Sequence, residues 1–247
     1  SQAFGLARSL RQEYSYEPKI EGNIPETIRG TLYRNGPGLF ERKQYRKKNL
    51  DLVLCRPGSG FRRDPSRTFA GLVAKYGIQL SAECQAAVSA LPPFYEGPVG
   101  TVHCALEAKA CMTEHMKARS RLYDELNSSH LTIHGSSDMT VAIGFAMVNV
   151  STTFRRPTRS GGEVVEHDQP RVARAVIEKL QQIPRRSSTG QDGFDAFGVV
   201  GVDCKNDPNV PVTFVDRPPA PPVGDILHYD QMIRRAVSVY ESRFPRL

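Results

Sequence analysis

The sequence predicts an α/β fold: a mixed β-sheet flanked by helices, preceded by a short β-rich N-terminal segment. Three observations lead there. From residue 99 onward, apolar runs of strand length and helical patterns follow one another as strand, helix, strand, helix, strand, strand, helix. Such an order suits strands joined by crossover helices over one sheet. Ahead of it, residues 14–51 are turn-rich and strand-like, with Asn35, Gly36, Pro37 and Gly38 as a strong turn signal. Finally, 39% hydrophobic and 24% charged residues among 247 describe an ordinary globular chain.

Each element follows from local pattern. Residues 55–60 read as a loop or linker. Helices are expected over 66–76 and 81–90, the second opened by Ser81 and Glu83 as a capped start. The β-branched run at 99–109 predicts a buried strand. Met116, Leu122, Tyr123 and Leu126 recur near helical spacing, which predicts a helix over 113–128. An apolar central strand is expected at 140–150, a helix near 169–182 between loops at 160–162 and 184–193, and strands at 197–204 and 210–215. The prolines of 217–222 make a stiff connector. A final helix over 225–243 carries Ile226, Ile233, Val237 and Tyr240 on its apolar face, to pack on the sheet or to serve a dimer.

Composition narrows the function. The net charge of +7 favours an anionic partner, with nucleic acid the commonest candidate. Arg42, Lys43, Arg46, Lys47, Lys48, Arg56, Arg62 and Arg63 crowd one stretch whose interspersed acids are Glu41 and Asp51; a solvated basic face is the alternative. The five cysteines, Cys55, Cys84, Cys104, Cys111 and Cys204, are scattered and form no C-x-x-C pair, so reduced thiols are expected rather than a zinc site or a disulfide scaffold. No window reaches the roughly 18 apolar residues of a membrane span, and residues 1–13 lack a signal-peptide core. A cytoplasmic location is the expectation.

The sharpest chemistry lies at Glu107 and Lys109. Residues two apart on a strand share a face, so this carboxylate and ammonium project together. A carboxylate so placed suits a hard divalent cation. The ammonium beside it suits a water nucleophile and the charge of a phosphoryl transition state.

The run Leu106, Glu107, Ala108, Lys109, Ala110, on a strand that leads into a helix, resembles the second half of the PD-(D/E)XK motif of restriction-endonuclease-like nucleases. The resemblance spans about residues 56–247, although its motif is only a few residues. It implies a restriction-endonuclease-like sheet, one or two Mg²⁺ ions, DNA as partner with a homodimer as one option, and a further acid on an earlier strand. Here the chain departs from the pattern: no Asp lies between Asp64 and Asp124. Glu96 is then the best candidate for the first metal ligand beside Glu107, with Asp64 as fallback. A rival acid-x-lysine pattern stands at Asp203 and Lys205, with Asp195 eight positions earlier. Lys117, Arg155, Arg156 and Arg159 are candidate DNA contacts. His115 either touches phosphate or lies idle, and residues 127–134, with His130 and His134, form a polar loop near DNA or a helix cap and turn. His103 reads as a core histidine.

Gly22, Ile24, Pro25, Gly30, Thr31, Leu32, Tyr33, Arg34, Asn35, Gly36 and Pro37 stand in the register of a second family. Residues 16–41 resemble the opening of carotenoid cleavage oxygenases, which are propellers holding iron through four His. The first His in this chain is His103, so no iron ligand carries over and dioxygenase activity is not expected. Residues 1–55 are therefore read as an oxygenase-like segment, not an independent domain, fused near residues 49–53 to a nuclease-like domain at 56–247. The leading expectation is a Mg²⁺-dependent DNA endonuclease, with restriction type as one option. The alternatives are a non-catalytic nucleic-acid-binding domain on a degenerate nuclease fold and an inactive oxygenase fragment.

Overall fold

A computed structural model describes residues 15–18, 30–32, 44–46, 50–75, 77–91, 94–156 and 162–245. Its centre is a six-stranded mixed sheet built of β1 (Ser15–Pro18), β4 (Leu52–Pro57), β5 (Val99–Cys111), β6 (Val141–Asn149), β9 (Ala196–Asp203) and β10 (Thr213–Val215), in the spatial order β1-β4-β5-β6-β9-β10. β5, β6 and β9 run parallel, while β1, β4 and β10 pair antiparallel at the two ends. Two short ribbons stand apart, β2 (Gly30–Leu32) with β3 (Gln44–Arg46), and β7 (Thr153–Arg155) with β8 (Val164–Glu166).

The parallel order follows from the helices. Each parallel step needs a crossover, supplied by α3 (His115–Ser136) between β5 and β6 and by α4 (Arg171–Leu180) between β6 and β9. In α4, Val172, Ala173, Val176, Ile177 and Leu180 are buried at helical spacing, so one stripe meets the sheet. α3 buries Ala118, Leu122, Leu126 and Ile133 in the same way. Together the two helices cover one face over Val53, Ala105, Ala146 and Val199. On the other face, α5 (Tyr229–Arg243) lays Met232, Ile233, Ala236 and Tyr240 over Cys104, Val141, Ile143 and Ala196. α5 comes close because Gly198 has no side chain: a Cβ there would stand 2.8 Å from Met232 Sδ. Two shorter helices, α1 (Phe69–Lys75) and α2 (Ala82–Ser89), fill the connection from β4 to β5.

The expected mixed sheet flanked by helices is present, and the elements differ from expectation at identifiable points. Residues 55–60 were expected to form a loop. Leu52–Pro57 is instead a strand inside the sheet, and Cys55 is fully buried. The expected boundary after residue 55 therefore falls within β4. α3 runs through to Ser136, beyond the expected stop at 128. There the hydroxyls of Ser128, Ser129 and Thr132 bond backbone carbonyls of the helix, at Glu125, Glu125 and Ser128. The β7–β8 ribbon was not expected, its strands being only three residues each. Ile226 precedes α5 and is 67% exposed, so it does not share the apolar face of Ile233 and Tyr240. The oxygenase-like stretch lies largely outside the described residues. No helix is long and apolar enough to cross a membrane among the described residues.

Candidate functional site

Glu107 and Lys109 lie on β5, the strand shared by the antiparallel and parallel halves of the sheet. A bulge upstream sets their face. Leu54 pairs with Cys104 and Cys55 with Val102, so His103 is the extra residue. After it, Ala105 points into the layer under α3 and α4, Leu106 towards α5. By alternation Glu107 and Lys109 share the α3 face. Their side chains form an ion pair in which the Lys109 ammonium donates to Glu107 Oε1. The Glu107 side chain is 1% exposed, and that of Lys109 is 23% exposed. Beside Glu107 on β6 stands Gly144, where a Cβ would come within 2.5 Å of the Phe197 ring. Phe197 and Phe194 thus fill the space over Gly144, the β6 partner of Glu107.

The acid opposite Glu107 in the extended β4–β5 register is Asp51, which sequence reasoning missed as a site residue. Leu52 pairs with Leu106 on β5, so continuing the register by one residue sets Asp51 opposite Glu107. The Asp51 carboxylate, Oδ2, accepts the backbone N–H of Ala108 at 2.6 Å. This bond fills the ladder position where the β4 pairing ends, and it fixes the Asp51 carboxylate on the backbone of the residue after Glu107. A signal was present: Leu50, Asp51, Leu52, Val53, Leu54 and Cys55 are an apolar run with one acid at its head. The sharp expectation of a seam at this point obscured it.

The expected first ligand, Glu96, does not join Glu107. Glu96 sits ahead of β5, its carboxylate 3.0 Å from Arg67 Nη2 and its N–H donated to the Arg67 carbonyl. The run of β5 from Val99 to Glu107 spans about 25 Å at strand rise, far beyond a shared cation. Asp64 lies at the Glu96 end as well. Its Oδ1 accepts from Ser66 N and Ser66 Oγ, which lowers its pKa and caps the 3₁₀ turn that contains Arg67.

The rival set is likewise split. Asp195 and Asp203 bracket β9, again about 25 Å apart by strand rise. Asp195 is buried and saturated: it accepts from Ala142 N, from Arg186 and from Arg243. Burial pushes its carboxyl up, but the bonds from Arg243 and Arg186 outweigh it and hold the pKa low. Arg186, wholly buried, also pairs with Asp138. This network ties the starts of β6 and β9 to the end of α5. Asp203 is half-buried, and Lys205 is exposed, its carbonyl taken by Arg155 N.

Among the candidate DNA-contacting cations, Lys117, Arg155 and Arg156 lie beyond the carboxyl ends of β5 and β6, each beside an acid. Lys117 and Arg156 both meet Glu114, at 3.5 and 2.9 Å, and Arg155 meets Asp207 at 3.3 Å. Arg159 lies outside the described residues. His115 is buried, its Nε2 2.7 Å from the Asn149 carbonyl, and burial lowers its pKa. Residues 127–134 form no loop. They are turns of α3, with His130 taking the Gly193 N–H and His134 Nε2 lying 2.9 Å from the Gly193 carbonyl. His103 is a core histidine, its ring edge-on to Phe244 at 4.6 Å.

Among the described residues no three or more His, Cys, Asp or Glu converge as a metal cluster. Lys109 pairs with Glu107, and Asp51 holds the backbone N–H of Ala108 between them. Carboxylates with water are the kind of donors that Mg²⁺ takes. Compared with family models, curated proteins and solved structures, the chain matches none.

Proposed function

We propose that this chain is a Mg²⁺-dependent phosphodiesterase acting on DNA, an endonuclease, with Asp51 and Glu107 as the cation-holding acids and Lys109 as the ammonium of the site. The supporting observation is the bond from Ala108 N to Asp51 Oδ2, which brings a second acid to the Glu107–Lys109 strand. The resemblance of residues 106–110 to the PD-(D/E)XK motif supports the reaction class, and the net charge of +7 supports a polyanionic substrate. Bound there, the cation would lower the pKa of a water and polarise a phosphoryl oxygen.

The chain's own residues do the rest. Asp51 and Glu107 hold the hard-ion site on two strands whose relative position is fixed by the sheet. Lys109, now bonded to Glu107, is the one partly exposed cation of the trio, positioned to orient water and to meet negative charge on phosphate. Burial keeps the dielectric low at Glu107, strengthening each charge interaction.

A second reading has its own observation. Glu107 is 1% exposed with the Lys109 ammonium already on it, as suits a degenerate nuclease fold that binds nucleic acid without cutting. Plasmid incubation with Mg²⁺ and with chelator separates the two. Cation-dependent nicking that is absent in Glu107→Ala and Lys109→Ala supports the nuclease. Salt-sensitive DNA binding with no cutting, across sequence-diverse plasmid and genomic substrates, supports the degenerate fold.

A further inference from the structure

A second group of reactive side chains lies beyond the end of β5, in a cleft of about 460 Å³ lined by Thr113, Met116, Val165 and His167 among others. Thr113 Oγ1 is 3.2 Å from His167 Nε2, and His167 Nδ1 is 3.0 Å from the Ser151 carbonyl. A carbonyl can only accept, so Nδ1 carries the proton. Nε2 therefore presents its lone pair to the Thr113 hydroxyl. The ring is held by stacking on Phe154 and by the edge contact of His115 at 4.8 Å. Hydroxyl, imidazole and an orienting acceptor stand in the order nucleophilic catalysis requires. The nuclease reading uses none of them.

The surroundings agree with that chemistry. Thr113 sits where β5 turns sharply into α3 through Glu114, a non-glycine residue in the left-handed region at φ 51°. The Glu114 side chain makes no cap bond to the N-terminus of this 22-residue helix. Its intrahelical bonds begin with Lys117 N and Ala118 N to the Glu114 carbonyl, which leaves the N–H groups of His115 and Met116 ahead of the ladder, and donors so placed suit an oxyanion. Met116, 44% exposed, and Val165 give the cleft an apolar side that suits a short acyl chain.

The geometry points to Thr113 and His167 as an acyl-transfer pair that hydrolyses small carboxylic esters. Thr113 Oγ attacks the acyl carbon as its proton passes to His167 Nε2. The bond from the acyl carbon to the ester oxygen breaks, and the leaving alkoxide takes that proton. Water then attacks the acyl-Thr113 ester, giving a proton to His167. The carboxylic acid departs, and the proton returns to Thr113.

The test is hydrolysis of p-nitrophenyl acetate by the full chain in the presence of chelator, with peptide mass mapping of the acetylated protein. Expected are turnover insensitive to chelator, an acetyl group on Thr113, and a loss of about 100-fold or more in Thr113→Val and in His167→Gln. Thr113→Ser, which keeps a hydroxyl, should remain within about tenfold of the parent. Melting curves of each variant identify loss by unfolding, and the mass mapping of the parent decides the matter independently of them. Acetylation at Lys117 or elsewhere without Thr113, rates unchanged in folded Thr113→Val, or no hydrolysis above buffer would each overturn the assignment. Chelator resistance separates this outcome from that of the nuclease site.

Discussion

The Asp51 carboxylate accepts the backbone N–H of Ala108, the residue that follows Glu107, across 57 positions of sequence. One side chain thus closes the β4–β5 ladder and stands opposite Glu107 in the extended register. The two roles separate by substitution. Asp51→Asn keeps an oxygen acceptor for Ala108 N but loses the charge. It should leave the melting temperature within a few degrees and lower Mg²⁺-dependent cleavage at least about 100-fold, a loss of some 2.7 kcal/mol in transition-state stabilisation. Asp51→Ala loses both, and should also cost about 1–3 kcal/mol in urea unfolding for the abandoned N–H.

Glu96 and Asp203 provide the opposite expectation. Glu96 meets Arg67 at the far end of β5, where Arg67 is 54% exposed. Glu96→Ala should change stability by less than about 1 kcal/mol, as for exposed pairs, and leave cleavage intact. Asp203→Ala should likewise leave cleavage intact. Plasmid assays on both variants check this. Loss of cutting in either would move the site.

The buried cluster of Arg186, Asp195 and Arg243 predicts a large stability effect. Asp195 accepts from both guanidinium groups, and the Arg186 side chain is fully buried. Asp195→Ala removes one of the two carboxylates that meet Arg186 and the one that meets Arg243, and should cost about 3–5 kcal/mol. Chemical denaturation reads the change directly. A loss below 1 kcal/mol would mean the cluster is not closed as described.

Acid should weaken the fold in a defined window. His103 and His134 are both pushed down to about 4 by burial, with a nearby arginine adding to the shift in each case, against an ordinary value of 6.5. Between those values the unfolded chain binds protons that the folded chain refuses. Stability is therefore full above about pH 6.5 and falls as pH drops towards 4, by about 1.4 kcal/mol per pH unit per histidine. Asp195, held low by its arginines, adds loss only below that window. Unfolding free energies at pH 7, 6, 5 and 4 check the slope, and His103→Phe should remove part of it.

Much of the fold was legible because its parallel half is local. Each crossover helix carries its own apolar stripe, so β5, α3, β6, α4 and β9 follow from periodicity. The antiparallel contribution of β4 was not legible, since residues 50–57 gain their meaning only by pairing with β5 across two intervening helices. That same gap hid Asp51. The Glu107–Lys109 pair was legible because two residues apart on a strand is a fixed geometry. Glu96 failed for a related reason: nearness in sequence does not bring an acid back along a straight strand. The relay from Thr113 through His167 to the Ser151 carbonyl joins three segments, and no spacing in the sequence announces it.

The most direct measurement is cleavage of supercoiled plasmid under Mg²⁺ by the parent chain, Asp51→Asn and Glu107→Gln side by side, with Glu96→Ala as the control. The account predicts cutting by the parent and by Glu96→Ala, and its near-complete loss in the other two while they remain folded. Cutting that survives in folded Asp51→Asn, or that disappears in Glu96→Ala, would contradict the assignment of Asp51 and Glu107 as the acid pair.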